Sequence, residues 1–528
     1  MHSILPFLLA MVAAIVLLEM LATKLKVAYP IVLVVAGLLI SFVPGLPAIK
    51  VNPDLIFFIV LPPLLFEAAW NISFKEMKKW YRIIISFAFL VVLFTALSVA
   101  VVANYMIPGF TIALGFLLGG IVSPPDAVST SAITKFVKIP KSTATILEGE
   151  SLLNDASSLI IFRFALIAIG TGQLIWQQAA LSFLWMVLGG VGAGLILGWF
   201  FVQMHKRLPT DASSDIAFTI IEPYFMYWVG EEIHSSGVLA VVAGGLYMAN
   251  RNLVFLSSAS RIMGFSVWET FIFLLNGIVF LVIGLDLSEI VAGIRAEGIP
   301  LTTAIGYGVL VTGVLILSRM ISAYAALLAT YLFRRSVFPR ASSRRRQLTI
   351  PLLLGWTGMR GVVSLAAALA IPVTLDSGQG FPHRNLILFI TFIVILLTLL
   401  LQGLTLPYII NRWRLFDNIN FTLLPEDIAG EKIRQGLKEH TYQFLKSKLD
   451  GDMRGNHHLQ RLLQHWEEKT KMPDEDWRSE EKKRIYFDML NSQRSFLTEA
   501  NKDPALNEEI VRHQLYLIDL EEERMKLL

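Results

Sequence analysis

The sequence predicts an all-α polytopic membrane protein, and three observations carry that reading: its composition, the length of its apolar runs, and the charge of the segments between them. Of 528 residues, 55% are hydrophobic and only 16% charged, with a mean hydropathy of +0.61. That is too apolar for a water-soluble chain of this size. A helix needs about 20 apolar residues to cross a bilayer, and such runs follow one another from Ile4 to about Asn411. They give about thirteen helices, centred near Ala13, Val35, Ile59, Leu93, Leu118, Leu159, Ala193, Tyr224, Val241, Leu275, Leu310, Val362 and Val394. The first run lacks a basic start and a small-residue cleavage site, so it reads as a span and not as a signal peptide.

The connections test that segmentation. Lys24 and Lys26, then Lys75, Lys78, Lys79 and Arg82, then Lys135, Lys138 and Lys141, then Lys206 and Arg207, then Arg251 and Arg261, and finally the run Arg334 to Arg346 fall on one set of alternate connections. The other set carries Lys50, Arg295 and Arg384, and otherwise acids, His or neutral residues. Lys and Arg concentrate on the cytoplasmic side of a membrane. The alternation therefore puts the N-terminus outside and the C-terminus in the cytoplasm of a plasma membrane, the inner one for a bacterial chain. The net charge of +4 is then a consequence of topology and calls for no nucleic-acid partner. The absence of cysteine excludes disulfides and thiolate chemistry.

Within the spans, the ionisable residues stand out because a charge near the bilayer centre costs a few kcal/mol. In order, the third span reads FIVLPPLLFEAAW and places Glu67 after Pro62 and Pro63; the fifth reads GFLLGGIVSPPDAVSTSA, with Pro124 and Pro125 followed by Asp126. The sixth contains EGESLLNDASSL and so Glu148, Glu150 and Asp155; the twelfth reads LLLGWTGMRGVVSLAAALAIP, with Gly355, Gly358 and Gly361 around Arg360. Proline removes a helix donor and glycine tolerates open backbone, so the fifth and twelfth spans are expected to unwind halfway. With the seventh as a linker, they are the fifth helices of two six-helix halves in opposite orientation, which is an inverted repeat with broken helices at a midplane site.

The sixth span carries the chemistry. Counted from Thr143, Asp155 lies about 18 Å along the helix, near the midplane. Ser151 shares its face, Asn154 borders it, and Glu148 lies two turns toward the cytoplasm as a candidate entrance. Glu150 points elsewhere and is expected to form a structural ion pair with Arg360, which needs a partner at that depth. Arg163 and Arg319 read as counter-charges, with an Asp155–Arg163 pair as the bland alternative for Asp155. A buried carboxylate that holds either H⁺ or a hard alkali cation couples the two ions by competition. Glu67 is expected to complete the site from an opposing domain, giving Na⁺ at Asp155, Ser151 and Glu67. Asp126 either touches the ion or caps the second half of the fifth span.

These motifs resemble those of the monovalent cation:proton antiporters of the NhaP/NHE-like branch. GESLLNDA at 149–156 is similar to the most distinctive motif of that family, and LPPLLFEAA, GMRGVVSLA and VFLVIGLDL are similar to three more. The resemblance covers about residues 1–412. It implies an NhaA-like antiporter fold, a homodimer with a mobile six-helix core that moves as an elevator, and a role in pH homeostasis. It also implies ion binding at Asp155 with Asn154, Ser151 and Glu67 near it, and a stabilising Glu150–Arg360 pair. The chain departs from the family at the fifth helix, where the acid follows the prolines. Asn154 in place of a second aspartate resembles the electroneutral branch.

Residues 1–412 are therefore expected to form a transmembrane antiporter domain, and residues 413–528, with helical periodicity and a charged face, a cytoplasmic regulatory or interaction domain whose ligand the sequence does not name. No cofactor is expected beyond the transported Na⁺ and H⁺. A cation channel, which would need a carbonyl-rich filter, and an intramembrane hydrolase, which would need a nucleophile–base pair or a His-rich metal motif, are the competing classes. A K⁺-preferring exchanger is the nearer alternative.

Overall fold

The computed structural model describes residues 4–42, 56–126, 141–172, 176–333, 351–375, 379–413, 426–450, 457–471, 480–500 and 508–527. The chain divides into two compact units, Met1–Asp417 and Asn418–Leu528. The first begins with α1 (Ile4–Leu25) and α2 (Tyr29–Ser41). A π-turn at Ile56–Val60 leads into α3 (Leu61–Asn71), and α4 (Phe74–Ile85) continues through a second π-turn into α5 (Val92–Met106). Then come α6 (Ile112–Val122), α7 (Lys141–Thr171), α8 (Trp176–Arg207), α9 (Ala212–Glu232) and α10 (Gly237–Ala249). The short α11 (Asn252–Phe255) precedes α12 (Ser258–Leu285), α13 (Leu287–Ala296) and α14 (Leu301–Phe333). After a helical stretch at residues 351–356 the unit closes with α15 (Val362–Leu369), α16 (Arg384–Leu397), a π-turn at Thr398–Gln402 and α17 (Gly403–Trp413).

Twelve of the thirteen centres expected from hydropathy fall inside these α-helices, and the remaining one, Ile59, falls in the π-turn that leads into α3. Six stretches among the described residues are long and apolar enough to cross a membrane on their own, including Phe74–Met106, Thr143–Thr171 and Ser258–Ala296. The helices start where short polar side chains can accept an otherwise orphaned N–H. Thr111 does this for Leu114 N at 3.2 Å, Asp211 for Ser214 N at 2.8 Å, and Ser236 for Leu239 N at 3.2 Å. Glycine allows the closest crossings: a Cβ on Gly119 would lie 2.5 Å from the Ala96 carbonyl oxygen, so α5 and α6 pack nearly backbone to backbone. Small residues are the usual currency of helix contact in lipid, where apolar surface alone gives no preference for protein over tails. The outward face of α8, with Leu184, Trp185, Leu188, Ile196 and Trp199 exposed, is the complement of that inner packing.

The second unit is helical: α18 (Glu426–Asp450), α19 (His457–Lys471), α20 (Glu480–Ala500) and α21 (Glu508–Leu527). α18 packs on α19 and α20 on α21. Arg494 of α20 holds Asp519 of α21 at 2.7 Å and Glu522 at 2.5 Å.

Candidate ion-binding site

The twelfth span breaks as expected, the fifth loses its helix after Val122 with residues 127–140 outside the described residues, and the two irregular stretches meet. α6 ends at Val122 and the chain is non-helical through residues 123–126. Opposite, the helix at residues 351–356 opens into irregular backbone that lasts until α15 begins. Asp126 N–H donates to the Met359 carbonyl at 2.7 Å, joining one break to the other.

Each break then places a charge against a helix end of the other. Arg360 Nε donates to the Val122 carbonyl at 2.8 Å and Nη2 to the Ser123 carbonyl at 3.2 Å. The guanidinium thus caps the C-terminal, partially negative end of α6. A Cβ on Gly361 would lie 2.3 Å from Asp126 Oδ2, so this carboxylate sits against the N-terminal, partially positive end of α15. The alternative role of Asp126, capping the second half of its own span, concerns residues 127–140, which lie outside the described residues.

This geometry corrects the expected ion pair. Glu150 is held by Arg319 and not by Arg360: Nη1 donates to Oε1 at 2.6 Å and Nη2 to Oε2 at 2.9 Å, a bidentate pair with both side chains buried. Arg319 also donates to the Leu354 and Thr357 carbonyls at 3.1 and 3.3 Å, so it ties α7 and α14 to the first half of the broken twelfth span. Arg360 remains within electrostatic range of Glu150, but its donors are spent on the carbonyls that the fifth span frees by breaking. Sequence spacing offered Arg163, Arg319 and Arg360 as cations at membrane depth, and could not say which of them the fold brings into bidentate contact with Glu150.

On α7 the polar stripe faces the break. Ser151 Oγ and Asn154 Nδ2 each donate to the Pro125 carbonyl at 3.2 Å, which leaves Asn154 Oδ1 buried without a partner among the described residues. Asp155 follows, 8% exposed. Ser158 donates to its backbone carbonyl at 3.1 Å, while among the described residues nothing donates to its carboxylate, and Asp126 is the charged group in electrostatic range. The bland alternative for Asp155 does not hold, because Arg163 pairs with Glu231 of α9. An uncompensated carboxylate beside an unsatisfied amide oxygen and a hydroxyl is a donor set for a hard monovalent cation, whose hydration shell such oxygens replace.

Glu67 is placed elsewhere. Its carboxylate accepts from Asn71 and lines a cavity of about 760 Å³ with Glu19, Tyr29, Asp215, Glu269 and Asn276. In this conformation no hydrogen bond among the described residues joins it to Asp155; Glu148, exposed on α7, and Glu269 are the acids in its electrostatic range. The cavity runs along α12 from Ser260 to Asn276, about 24 Å at the helical rise. Tyr29 on its wall is within electrostatic range of both Glu67 and Asp126, which brings its inner part near the crossing. The cavity begins where α3 ends and α12 starts, beside the connections that carry the basic residues.

Residues 8–412 match the transmembrane sodium/hydrogen exchanger family. The chain belongs to that family. A low-affinity Na⁺/H⁺ antiporter of Synechocystis, NhaS1, is 31% identical over 393 residues, covering 73% of this chain and 69% of the relative. A sodium, potassium, lithium and rubidium/H⁺ antiporter of Bacillus pumilus is 34% identical over 397 residues, covering 72% of this chain and 58% of that longer protein. Among solved structures, the sodium proton antiporter MjNhaP1 of Methanocaldococcus jannaschii superposes with a TM-score of 0.60 over 77% of this chain and 97% of its own, at 18% identity, a likeness of fold. For a sodium/hydrogen exchanger, the crossing of two broken helices beside one uncompensated carboxylate is the region where chemistry is expected. Sequence reasoning did not anticipate the Arg319 partnership, the place of Tyr29, or a buried His205 between Asp215 and Glu222. The last had a faint signal in Glu222, an acid within an apolar run, while His205 was masked by its neighbours Lys206 and Arg207.

Proposed function

We propose that this sodium/hydrogen exchanger carries Na⁺ across the membrane in exchange for H⁺, with cation and proton competing for the Asp155 carboxylate. The observation that carries the reading is the state of that group: it accepts no hydrogen bond among the described residues, the amide oxygen of the preceding residue, Asn154 Oδ1, is buried without a partner among them, and Arg163, Arg319 and Arg360 engage other partners. Ser151, Asn154 and Asp155 supply oxygens from α7, and Asp126 adds negative potential from the break. A proton on Asp155 removes the charge that a cation needs, so the two ligands exclude each other. Li⁺ and K⁺ are read as further substrates, in line with the cations named for the Bacillus relative.

The acids of the cavity, Glu19, Glu67 and Glu269, raise the local cation concentration on the route from the basic, cytoplasmic face. Glu67 is proposed to join the ion site only in another state of an alternating-access cycle. With asparagine before Asp155, one exchangeable charge is carried per turnover and exchange is electroneutral. The reading extends to a homodimer in the plasma membrane, thirteen spans with the N-terminus outside, inverted six-helix repeats, an elevator movement of the core and a part in pH homeostasis. Its supports are the charge of the connections and family membership. The deciding experiment is cation-dependent dequenching of a pH dye in proteoliposomes with Na⁺, Li⁺ and K⁺ compared. Proton flux linked to cation flux is expected; current without coupling would replace the antiporter with a channel.

A further inference from the structure

A second cluster of ionisable groups, away from Asp155, reaches the cavity through Asp215. His205, in the last turn of α8, has a fully buried side chain. Its Nδ1 lies 2.9 Å from Asp215 Oδ1 and its Nε2 2.8 Å from Glu222 Oε1. Asp215 and Glu222 are seven positions apart on α9, two turns along one face, and grip the ring from both sides. Asp215 Oδ2 accepts from Ser260 Oγ of α12 at 2.7 Å. The rings of Phe218 and Phe255 close the space around the imidazole. Glu222 Oε2 is buried and has no partner among the described residues.

The geometry fixes a proton count. A neutral imidazole has one N–H, so with both carboxylates ionised one of the two nitrogens would turn a lone pair toward a carboxylate oxygen. Both contacts are favourable only when the cluster holds one more proton, either as an imidazolium or as a carboxylic acid on Asp215 or Glu222. With that proton the three groups carry a net charge of −1, and without it −2, in an apolar box. The charged groups that reach the ring are Asp215 and Glu222 from α9. Packed along α8, α10 offers Tyr247, whose ring lies under the Arg251 guanidinium. From α11 comes the Phe255 ring, and α12 contributes Ser260 through Asp215 while Arg261 is turned to the Leu256 carbonyl and Ser258. Lys206 and Arg207, next to His205, are exposed.

We propose that His205, Asp215 and Glu222 form a proton-binding site distinct from Asp155, which fastens α8 to α9 and, through Asp215, to the start of α12 while the proton is bound, and loosens that hold on α8 when the proton is lost. Asp215 and Ser260 both line the cavity, and α12 carries Glu269 and Asn276 deeper along the same wall. Loss of the proton leaves two carboxylates facing each other across a neutral ring that can donate to only one of them, so the contact of His205 with the other is the one that yields. The cluster thereby makes the shape of the cavity mouth depend on the pH of the adjoining solution. The consequence for transport rests on the antiport reading; the proton site itself does not.

The two are separated by working on full-length protein. Histidine labelled with ¹⁵N in wild type and in His205→Gln assigns the His205 signal by difference. At neutral pH the cluster should hold the extra proton that its two contacts require, seen either as both ring nitrogens protonated or as a carboxylic acid beside a neutral ring. In parallel, the melting-temperature advantage of wild type over His205→Gln should be largest at acid pH and shrink as pH rises, since the bridging proton is lost in that direction. In vesicles, His205→Gln should exchange ions yet lose part of the pH dependence of its apparent KM for Na⁺. A neutral His205 ring between two ionised carboxylates at neutral pH, or a stability advantage independent of pH, overturns the site. Identical KM against pH profiles in the two proteins overturn its link to the cavity. Asp155→Asn is the control: it should abolish exchange and leave the His205 titration in place, so failure of the antiport reading and failure of this one give different results.

Discussion

Glu150→Gln should be among the most damaging neutral substitutions in the transmembrane unit, and its damage should be relieved by Arg319→Gln and not by Arg360→Gln. Removing one partner of a buried ion pair costs about 3–5 kcal/mol, because the surviving charge is stranded. The relative exposures of the two side chains are 3% for Arg319 and 0% for Glu150, so water offers no relief. Arg319→Gln also withdraws donors from the Leu354 and Thr357 carbonyls, at 3.1 and 3.3 Å. At about 0.5–1.5 kcal/mol per hydrogen bond, its loss should exceed that of Glu150→Gln by about 1–3 kcal/mol. The double variant strands no charge and should recover about 2 kcal/mol or more of the summed losses. The assay is the fraction of monodisperse detergent-purified protein that survives a heating series, run on the singles and on both doubles. Coupling of Glu150 to Arg360 larger than its coupling to Arg319 would refute the pairing and with it the division of labour between the two arginines.

Asp155→Asn keeps the shape of the side chain and removes its charge, so it should fold, elute as wild type does, and show no cation-driven proton flux; undiminished flux would remove Asp155 from the mechanism. Gly361→Ala puts a Cβ 2.3 Å from Asp126 Oδ2, and the contact must open; exchange should fall by at least about tenfold, and a wild-type rate would mean that Asp126 does not stand at the start of α15. If H⁺ and Na⁺ compete at one group, each unit of acidification should raise the apparent KM for Na⁺ by up to about tenfold with little effect at saturating Na⁺; a pH-independent KM would separate the two sites. Clamping the vesicle potential at zero and then at a large negative value should leave the initial rate unchanged, and a sustained Na⁺-driven current would require a second proton carrier.

Much of the fold was legible because hydropathy and bilayer thickness constrain the same quantity, the length of an apolar run. Every expected centre but Ile59, which falls in a π-turn, fell in an α-helix, and even the loss of helix before Pro124–Pro125 and the break at Gly358–Gly361 were visible, since proline and glycine act on the backbone locally. What was not legible is pairing across distance. Glu150 meets Arg319 over 169 positions, and nothing in the spacing distinguishes that cation from Arg360. The placement of Asp126 shows the same limit: nothing in its own span announces that its carboxylate also lies against the N-terminus of α15, on a segment more than two hundred residues later. His205 failed for another reason. A histidine beside Lys206 and Arg207 reads as part of the basic border of a membrane span, and only the return of α9 along α8 converts it into a buried base between two acids.

The correction of the ion pair changes how the site is understood. Had Arg360 neutralised Glu150, the crossing would hold Asp126 and Asp155 as two acids without a local cation, and binding one monovalent ion would leave a residual charge at membrane depth. As built, Glu150 and Arg319 cancel each other. Arg360 faces the carbonyl end of α6, and Asp126 faces the amide end of α15, so that each formal charge meets a partial charge of opposite sign, equivalent to about half an elementary charge at a helix end. With both arginines, Glu150 and Asp126 engaged in this way, Asp155 is the acid at the crossing that has no counter-charge of its own among the described residues. One cation or one proton restores balance, and neither is retained so strongly as a fixed arginine would be. The proposed one-for-one exchange follows from that arithmetic: the site moves without net charge only when it is occupied, and an empty Asp155 carries the penalty of an unpaired buried anion, which opposes its movement across the membrane.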